Sequence, residues 1–150
     1  MTRRRQRPER RELGILLFVA NRALEQRALD AVAAAGFTDI TLAQARVAAR
    51  IGPEGTRVSD LAEQARVTKQ SAAFLVEQLE SAGYVERVAD PTDRRARLVR
   101  LTARADGVVA AANAEVEQAL AEWAEHVGEE RLDAVHATLR DLRPLVDPWS

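Results

Sequence analysis

Four guanidinium groups, those of Arg94, Arg95, Arg97 and Arg100, fall within seven residues. Arginine is permanently charged and planar, and its donors match phosphate oxygens two at a time. It is also drawn into a narrow DNA minor groove, where the potential is most negative. Upstream stand Lys69 and Gln70. A glutamine amide can pair bidentately with adenine, and a lysine can donate to guanine O6 and N7. Lys69 can equally serve a phosphate alone. The bland alternative for the arginine run is a solvated hairpin.

The stretch from Val58 to Thr102 must position these groups. Leu61, Ala62 and Ala65 share one helical face, and Arg66-Val67 makes a turn. Thr68 can cap the next helix, because its hydroxyl accepts an N–H that the first turn leaves unpaired. Ala72, Leu75, Val76 and Leu79 recur at helical spacing and point inward. Lys69, Gln70, Ala73, Phe74 and Gln78 then point outward. Gly83 stops the helix. Tyr84 to Val88 reads as a strand, Asp90-Pro91-Thr92-Asp93 as turn chemistry, and Leu98 to Leu101 as the returning strand. Two helices with a short turn form a helix-turn-helix, whose second helix enters the major groove. The basic hairpin behind it, read as a flexible loop, completes a winged helix. Thr68 and Ser71 read as phosphate or capping groups. Phe74 is an outward aromatic that meets a thymine methyl or folds back onto the wing.

These residues resemble the MarR family of bacterial transcription regulators. The resemblance rests on Val58-Ser59-Asp60-Leu61-Ala62 and on Leu79-Glu80 with Gly83-Tyr84-Val85-Glu86-Arg87. Asp90-Pro91-Thr92-Asp93-Arg94-Arg95, followed by Leu101-Thr102, is its most specific part. It implies a mainly α fold with a small β-hairpin wing: a winged helix-turn-helix with N- and C-terminal dimerisation helices. Residues 1–150 would form a single MarR-like domain. Residues 41–102 would be the DNA-binding module, and 11–36 and 103–146 the dimerisation helices.

The implied function is sequence-specific transcriptional regulation by a ligand-responsive repressor, a homodimer on a pseudo-palindromic double-stranded DNA operator. On this resemblance Arg95 enters the minor groove and Asp93 holds its guanidinium by a charge-assisted bond. Arg94 and Arg97 then serve phosphates. With Thr68, Lys69, Gln70, Ser71 and Phe74, these are the expected DNA-binding residues. A small aromatic or anionic effector is expected between the dimer helices and the winged helix, with Phe18, Arg22 and Arg46 as candidate lining residues.

The 150 residues suit one domain with one core. Hydrophobic content of 47% and charged content of 30% are those of a globular protein, and the net charge is only −1. That charge is unevenly spread. Residues 1–56 carry a net +4, residues 57–104 a net +2, and residues 105–150 a net −7. The acidic end is therefore not expected to touch DNA. There is no cysteine, which excludes thiol redox sensing and disulfides. His126 and His136 lack metal-ligand spacing, so neither metal nor cofactor is expected. No nucleophile–base pattern or glycine-rich phosphate loop suggests an enzyme. The competing reading is a winged helix used for protein–protein contact without an operator; such a module has no need of clustered guanidinium.

Thr2 to Arg11 holds six arginines and Pro8. It reads as a solvated arm, or one that touches phosphates. The following run, Leu13 to Ala20, imitates a secretory signal, but its helical spacing continues unbroken into Asn21-Arg22-Ala23-Leu24-Glu25. No run approaches the ~20 apolar residues that cross a bilayer, and a cytoplasmic protein is expected. Leu13, Leu17, Ala20, Leu24 and Ala28 make one stripe of a first helix ending near Gly36-Phe37.

Thr41 and Gln44 make a capping box for the second helix, with Leu42, Ala45, Val47 and Ala49 inward. A short strand is expected at Thr56-Arg57-Val58. Val109, Ala112, Val116, Ala119 and Trp123, then Leu132, Val135, Leu139, Leu142 and Val146, form two further seams. Three amphipathic helices outside one small module carry more apolar surface than it can cover, which points to a twofold dimer.

Overall fold

The computed structural model describes residues 10–149. The expected arginine arm lies outside the described residues except for Arg10 and Arg11. These sit in a 3₁₀ turn, Arg10–Glu12, that leads into α1 (Leu13–Ala34). Then come α2 (Leu42–Ala48), α3 (Val58–Ala65), α4 (Lys69–Ser81), β1 (Val85–Asp90), β2 (Asp93–Leu101), α5 (Ala103–Val127) and α6 (Glu129–Val146). Among the described residues the fold is mainly α with one antiparallel hairpin, as expected. Among the described residues, no helix is long and apolar enough to cross a membrane.

Local chemistry sets the helix ends. The Thr41 hydroxyl accepts the Gln44 amide at 3.3 Å, and the Gln44 side chain accepts the Thr41 amide at 2.8 Å, the expected capping box. Val47 and Gln44 are the buried residues of α2, whereas Ala49, expected inside, is exposed. The helix is only two turns long and Ala49 is already its C-cap. Arg66 ends α3 with φ 55°, a left-handed conformation unusual outside glycine. The Thr68 hydroxyl accepts the Ser71 amide at 3.0 Å and so caps α4. Gly83, with φ 81°, ends α4: its own amide reaches Glu80 and that of Tyr84 reaches the Leu79 carbonyl at 2.9 Å. A side chain at Gly83 would strain this reversal.

The core lies where α2, α3, α4, the base of the wing and the start of α5 meet. Tyr84, Leu61, Leu79, Val47, Val76 and Val99 are its largest fully buried side chains. The inward face of α4 is as expected at Ala72, Val76 and Leu79, with Leu75 half-buried. Gly107 lets α5 approach the loop before α2. A Cβ built there would lie 2.5 Å from Phe37 Cζ, too close for any side chain without displacing the ring.

The wing is a ribbon with a tight tip, not the flexible loop expected. Both strands run to the turn at Pro91-Thr92, so Arg94, Arg95 and Arg97 all lie on β2. The cause is Asp90, which is buried. Its carboxylate accepts the Thr92 amide at 2.8 Å and the Thr92 hydroxyl at 2.7 Å. It also accepts Arg57 Nε at 2.8 Å and a terminal nitrogen at 2.6 Å. The strand expected at Thr56-Arg57-Val58 is reduced to a single bridge between Thr56 and Val99, bonded both ways at 2.9 and 2.8 Å. Arg57 instead turns its side chain to Asp90, and Val58 already begins α3.

Outside this module, α1 packs along α5. Arg27 joins them, donating to Glu115 at 2.7 Å and to Glu122 at 2.5 Å. The helix α6 returns toward α2, where Arg50 pairs with Asp147 at 2.7 Å and donates to Gln64 at 3.1 Å. No residue of α6 is buried, and Val135, Leu139, Leu142, Leu145 and Val146 are all exposed. On α1, the run Ile15 to Val19 is exposed as well. The apolar seam of α6 and the first half of the α1 stripe are left uncovered by one chain, whereas the α5 seam is largely covered within it: Ala119 is buried and Ala112, Val116 and Trp123 are half-buried.

Asp90 makes the wing pH-sensitive in a defined direction. Bonds from the Thr92 hydroxyl and amide, then the Arg57 guanidinium, hold its carboxyl down to about 2. An unfolded aspartate titrates at about 3.9, so this stabilisation is complete above about pH 4 and fades as pH falls toward about 2. The Thr92 amide resonance, followed by NMR, should shift with a midpoint near that lower value. Asp90→Asn should abolish the shift and speed hydrogen exchange at the tip. A midpoint at the ordinary aspartate value would show that the carboxylate is not held this way.

Candidate nucleic-acid interface

The helix α4 presents a polar first turn. Lys69, Gln70 and Ser71 are exposed, followed by Ala73 and Phe74 on the same outward side. Thr68 is committed to the cap, and its hydroxyl proton goes to Ser71 Oγ at 2.8 Å. Of the two roles open to Thr68 and Ser71, capping is the one visible here. A fixed N-cap matters because the amide-rich N-terminus of a helix is where phosphate is favoured.

The wing supplies the second half of the surface. Arg94, Arg95 and Arg97 are exposed, and none pairs with a carboxylate among the described residues. Arg100 differs: it donates to Glu86 across the strands at 2.7 Å and is neutralised there. Arg87 is held by Glu80 at 3.1 Å in the same manner. Three of the four arginines in the run are therefore available to an anion.

Asp93 does not hold the Arg95 guanidinium as expected. Its carboxylate accepts the Arg95 backbone amide at 2.9 Å and lies 3.9 Å from Arg57. It shapes the turn and leaves the Arg95 side chain free. The supporting pair of Arg57 and Asp90 is not visible in the sequence. The two are 33 residues apart, and the one local signal is an aspartate opening a turn.

The expected effector residues do not form one site. Arg22 stacks on Phe18 at 5.9 Å on the exposed half of α1. Neither lines the cavities between the winged helix and α5. Arg46 does line one of these, of about 220 Å³, together with Glu25. Glu25 takes two bonds from the Arg46 guanidinium, at 2.8 and 2.7 Å, and is held below the usual carboxylate range by them. A neighbouring cavity of about 400 Å³ lies between α2 and α5 and shares Ile40, Ala45, Ala49, Val108 and Ala112 with the first. Its wall is aliphatic apart from Tyr84 and Asn113. A third, of about 720 Å³, is a groove between α1, α5 and α6 that includes Leu17, Trp123 and Leu139.

Residues 38–96 match the sequence model of the MarR family. No curated protein matches the chain. Solved structures match it over nearly its full length. A MarR-family transcriptional regulator from Rhodococcus sp. RHA1 is 21% identical, with 95% of this chain and 98% of that one covered and a TM-score of 0.69. CouR from Rhodococcus jostii RHA1, bound to p-coumaroyl-CoA, is 24% identical, with 93% and 94% covered and a TM-score of 0.69. NadR in complex with 4-hydroxyphenylacetate is 24% identical, with 95% and 97% covered and a TM-score of 0.66. The helix-turn-helix, the hairpin wing and the two flanking sets of helices all fall within the shared fold. Residues 38–96 thus resemble the MarR family of winged-helix transcriptional regulators in sequence, and the whole chain shares the fold of solved members of that family.

Proposed function

We propose that the protein is a cytoplasmic, ligand-responsive repressor that binds a pseudo-palindromic operator as a homodimer. The observation that carries this reading is the pairing of two surfaces. The outward first turn of α4 offers Lys69 and Gln70, and the wing offers three arginines with no acidic partner among the described residues. Lys69 and Gln70 would reach base edges in the major groove. Arg95 would enter the flanking minor groove, and Arg94 and Arg97 would bind phosphates. Thr68, Ser71 and Asp93 would act beside them, chiefly by fixing the helix start and the wing turn, and Phe74 would face the bases.

Dimerisation follows from the uncovered faces. Leu145 is 81% exposed, Val146 64% and Leu16 59%, and the groove between α1, α5 and α6 is open. A second copy related by a twofold axis would cover all of these at once. The effector would enter the paired cavities between α2 and α5. Their walls suit an aromatic body, in keeping with the aromatic compounds held by CouR and NadR. An anionic end would have to take Arg46 from Glu25, which places a cost on acids that neutral analogues escape.

Two experiments test this reading. Gel-shift titration should find tight, salt-sensitive binding to DNA flanking the gene. Arg95→Ala should weaken operator and non-operator DNA nearly alike and lower the salt slope by about one unit for each phosphate it no longer neutralises. Gln70→Ala should cost roughly 1–3 kcal/mol on the operator and relax preference at one base pair per half-site. If Arg95→Ala changes neither affinity nor salt dependence, the wing does not touch DNA. In sedimentation at micromolar concentration, the wild type should run as a dimer. Leu139→Asp, which would bury a charge in the seam, should dissociate or unfold it. A soluble wild-type monomer would refute the dimer.

A further inference from the structure

Large apolar side chains are exposed in two separate regions. Most lie on α1, α5 and α6, the faces assigned above to the second copy. Between residues 38 and 102, only Val67 and Phe74 are large, apolar and exposed. Val67 sits in the turn before α4 and is 37% exposed, whereas Phe74 is 58% exposed in the middle of α4. Scattered exposed apolar residues are ordinary. This one stands in an otherwise polar or small outward row of Lys69, Gln70, Ala73 and Glu77.

Among the described residues, nothing stacks on the ring. The stacked guanidinium pairs are Arg22 with Phe18 and Arg104 with Tyr84, and the aromatic pair is Phe37 with Tyr84. No wing arginine lies over Phe74, so a fold-back onto the wing is not what shelters it. Its surroundings point to a polyanion: Lys69 lies on the preceding turn, and Arg94, Arg95 and Arg97 stand on the wing with no carboxylate partner among the described residues.

We propose that Phe74 packs on a thymine C5-methyl group, so that each operator half-site carries T·A at one required position. The inference rests on the DNA-binding reading above and adds base identity to it. The floor of the major groove is lined by polar edges, and the thymine methyl is the apolar group it offers. Gln70 lies four residues before Phe74, about 6 Å along the helix axis and thus roughly two base-pair steps. A half-site with adenine opposite Gln70 and thymine opposite Phe74, about two steps apart, satisfies both side chains. Glu77, one turn further on and exposed, would be repelled by phosphates; this limits insertion to the first two turns of α4.

The test uses the intact protein and duplexes it selects from a random pool. Single thymines in the selected site are then replaced by uracil, which deletes the methyl and nothing else. At one symmetric pair of positions the replacement should weaken wild-type binding about fourfold per half-site, the worth of one apolar carbon returned to water. In Phe74→Ala that sensitivity should vanish at the same positions. Relative to the wild type, the variant should lose less on the uracil duplex than on the thymine duplex, with an unchanged melting temperature because the side chain is exposed. Phe74→Leu should keep part of the sensitivity. If no thymine methyl matters to the wild type, or if Phe74→Ala responds to uracil as the wild type does, the assignment is wrong. A selection that enriches no sequence overturns the DNA-binding reading, and this inference with it.

Discussion

The surface formed by α4 and the wing depends on the burial of Tyr84 at their junction. Its amide closes α4 on Leu79, and its carbonyl accepts the Thr102 amide at the start of α5 at 3.0 Å. Its ring is 1% exposed, tilted against Phe37 and covered by the Arg104 guanidinium at 4.7 Å. Its hydroxyl donates to Asp39, in the loop between α1 and α2, and Arg104 reaches the same carboxylate at 3.0 Å. Burial, then the hydrogen bond to Asp39, pushes the phenol above its ordinary value, and the same bond keeps Asp39 below its own. A buried tyrosine needs a partner for its hydroxyl. Here that need joins the end of α4, the root of the wing and the base of α5. Packing around this side chain thus adds to the core contacts of Val76 and Leu79 in orienting α4 relative to the long helices.

On the function proposed above, this junction would couple DNA binding to ligand binding. The larger cavity between α2 and α5 is walled by Tyr84 and Leu79 of the junction and by Leu101 and Ala105 beside them. A molecule filling it would press on the elements that aim α4. It would shift the equilibrium only by as much as it favours one arrangement over the other. The wing is insulated from such a push at its tip. Asp90, Thr92 and Arg57 tie the turn to the start of α3 by their own hydrogen bonds.

Short-range chemistry is legible in the sequence and long-range pairing is not. The Thr41–Gln44 capping box, the Thr68 cap and the Gly83 stop each depend on residues three or four apart, and all three are present. The inward face of α4 follows from its 3.6-residue period, and the MarR motif places the wing. The wing strands are longer than their sequence suggests, because turn-forming residues mask the pairing that Asp90 enforces from the side. Its partner Arg57 lies 33 residues away, and Glu25 lies 21 residues from Arg46. No periodicity joins such pairs. Asp93 invites a side-chain partner in Arg95 because their charges are opposite and two residues apart; in the wing turn the backbone amide is nearer. The seams of α1 and α6 are apolar as read, but their partner is not in the single chain.

The central claim is that two copies of this winged helix, aimed by the Tyr84 junction, read DNA through α4 and the wing together. Hydroxyl-radical footprinting of the intact protein on its selected operator tests it most directly. Two protected tracts should appear on each strand, related by twofold symmetry and with half-site centres about 10 base pairs apart. Each should be flanked by protection of the minor groove where the wing lies. A single protected tract at full occupancy, or two tracts without the flanking protection, would contradict the account.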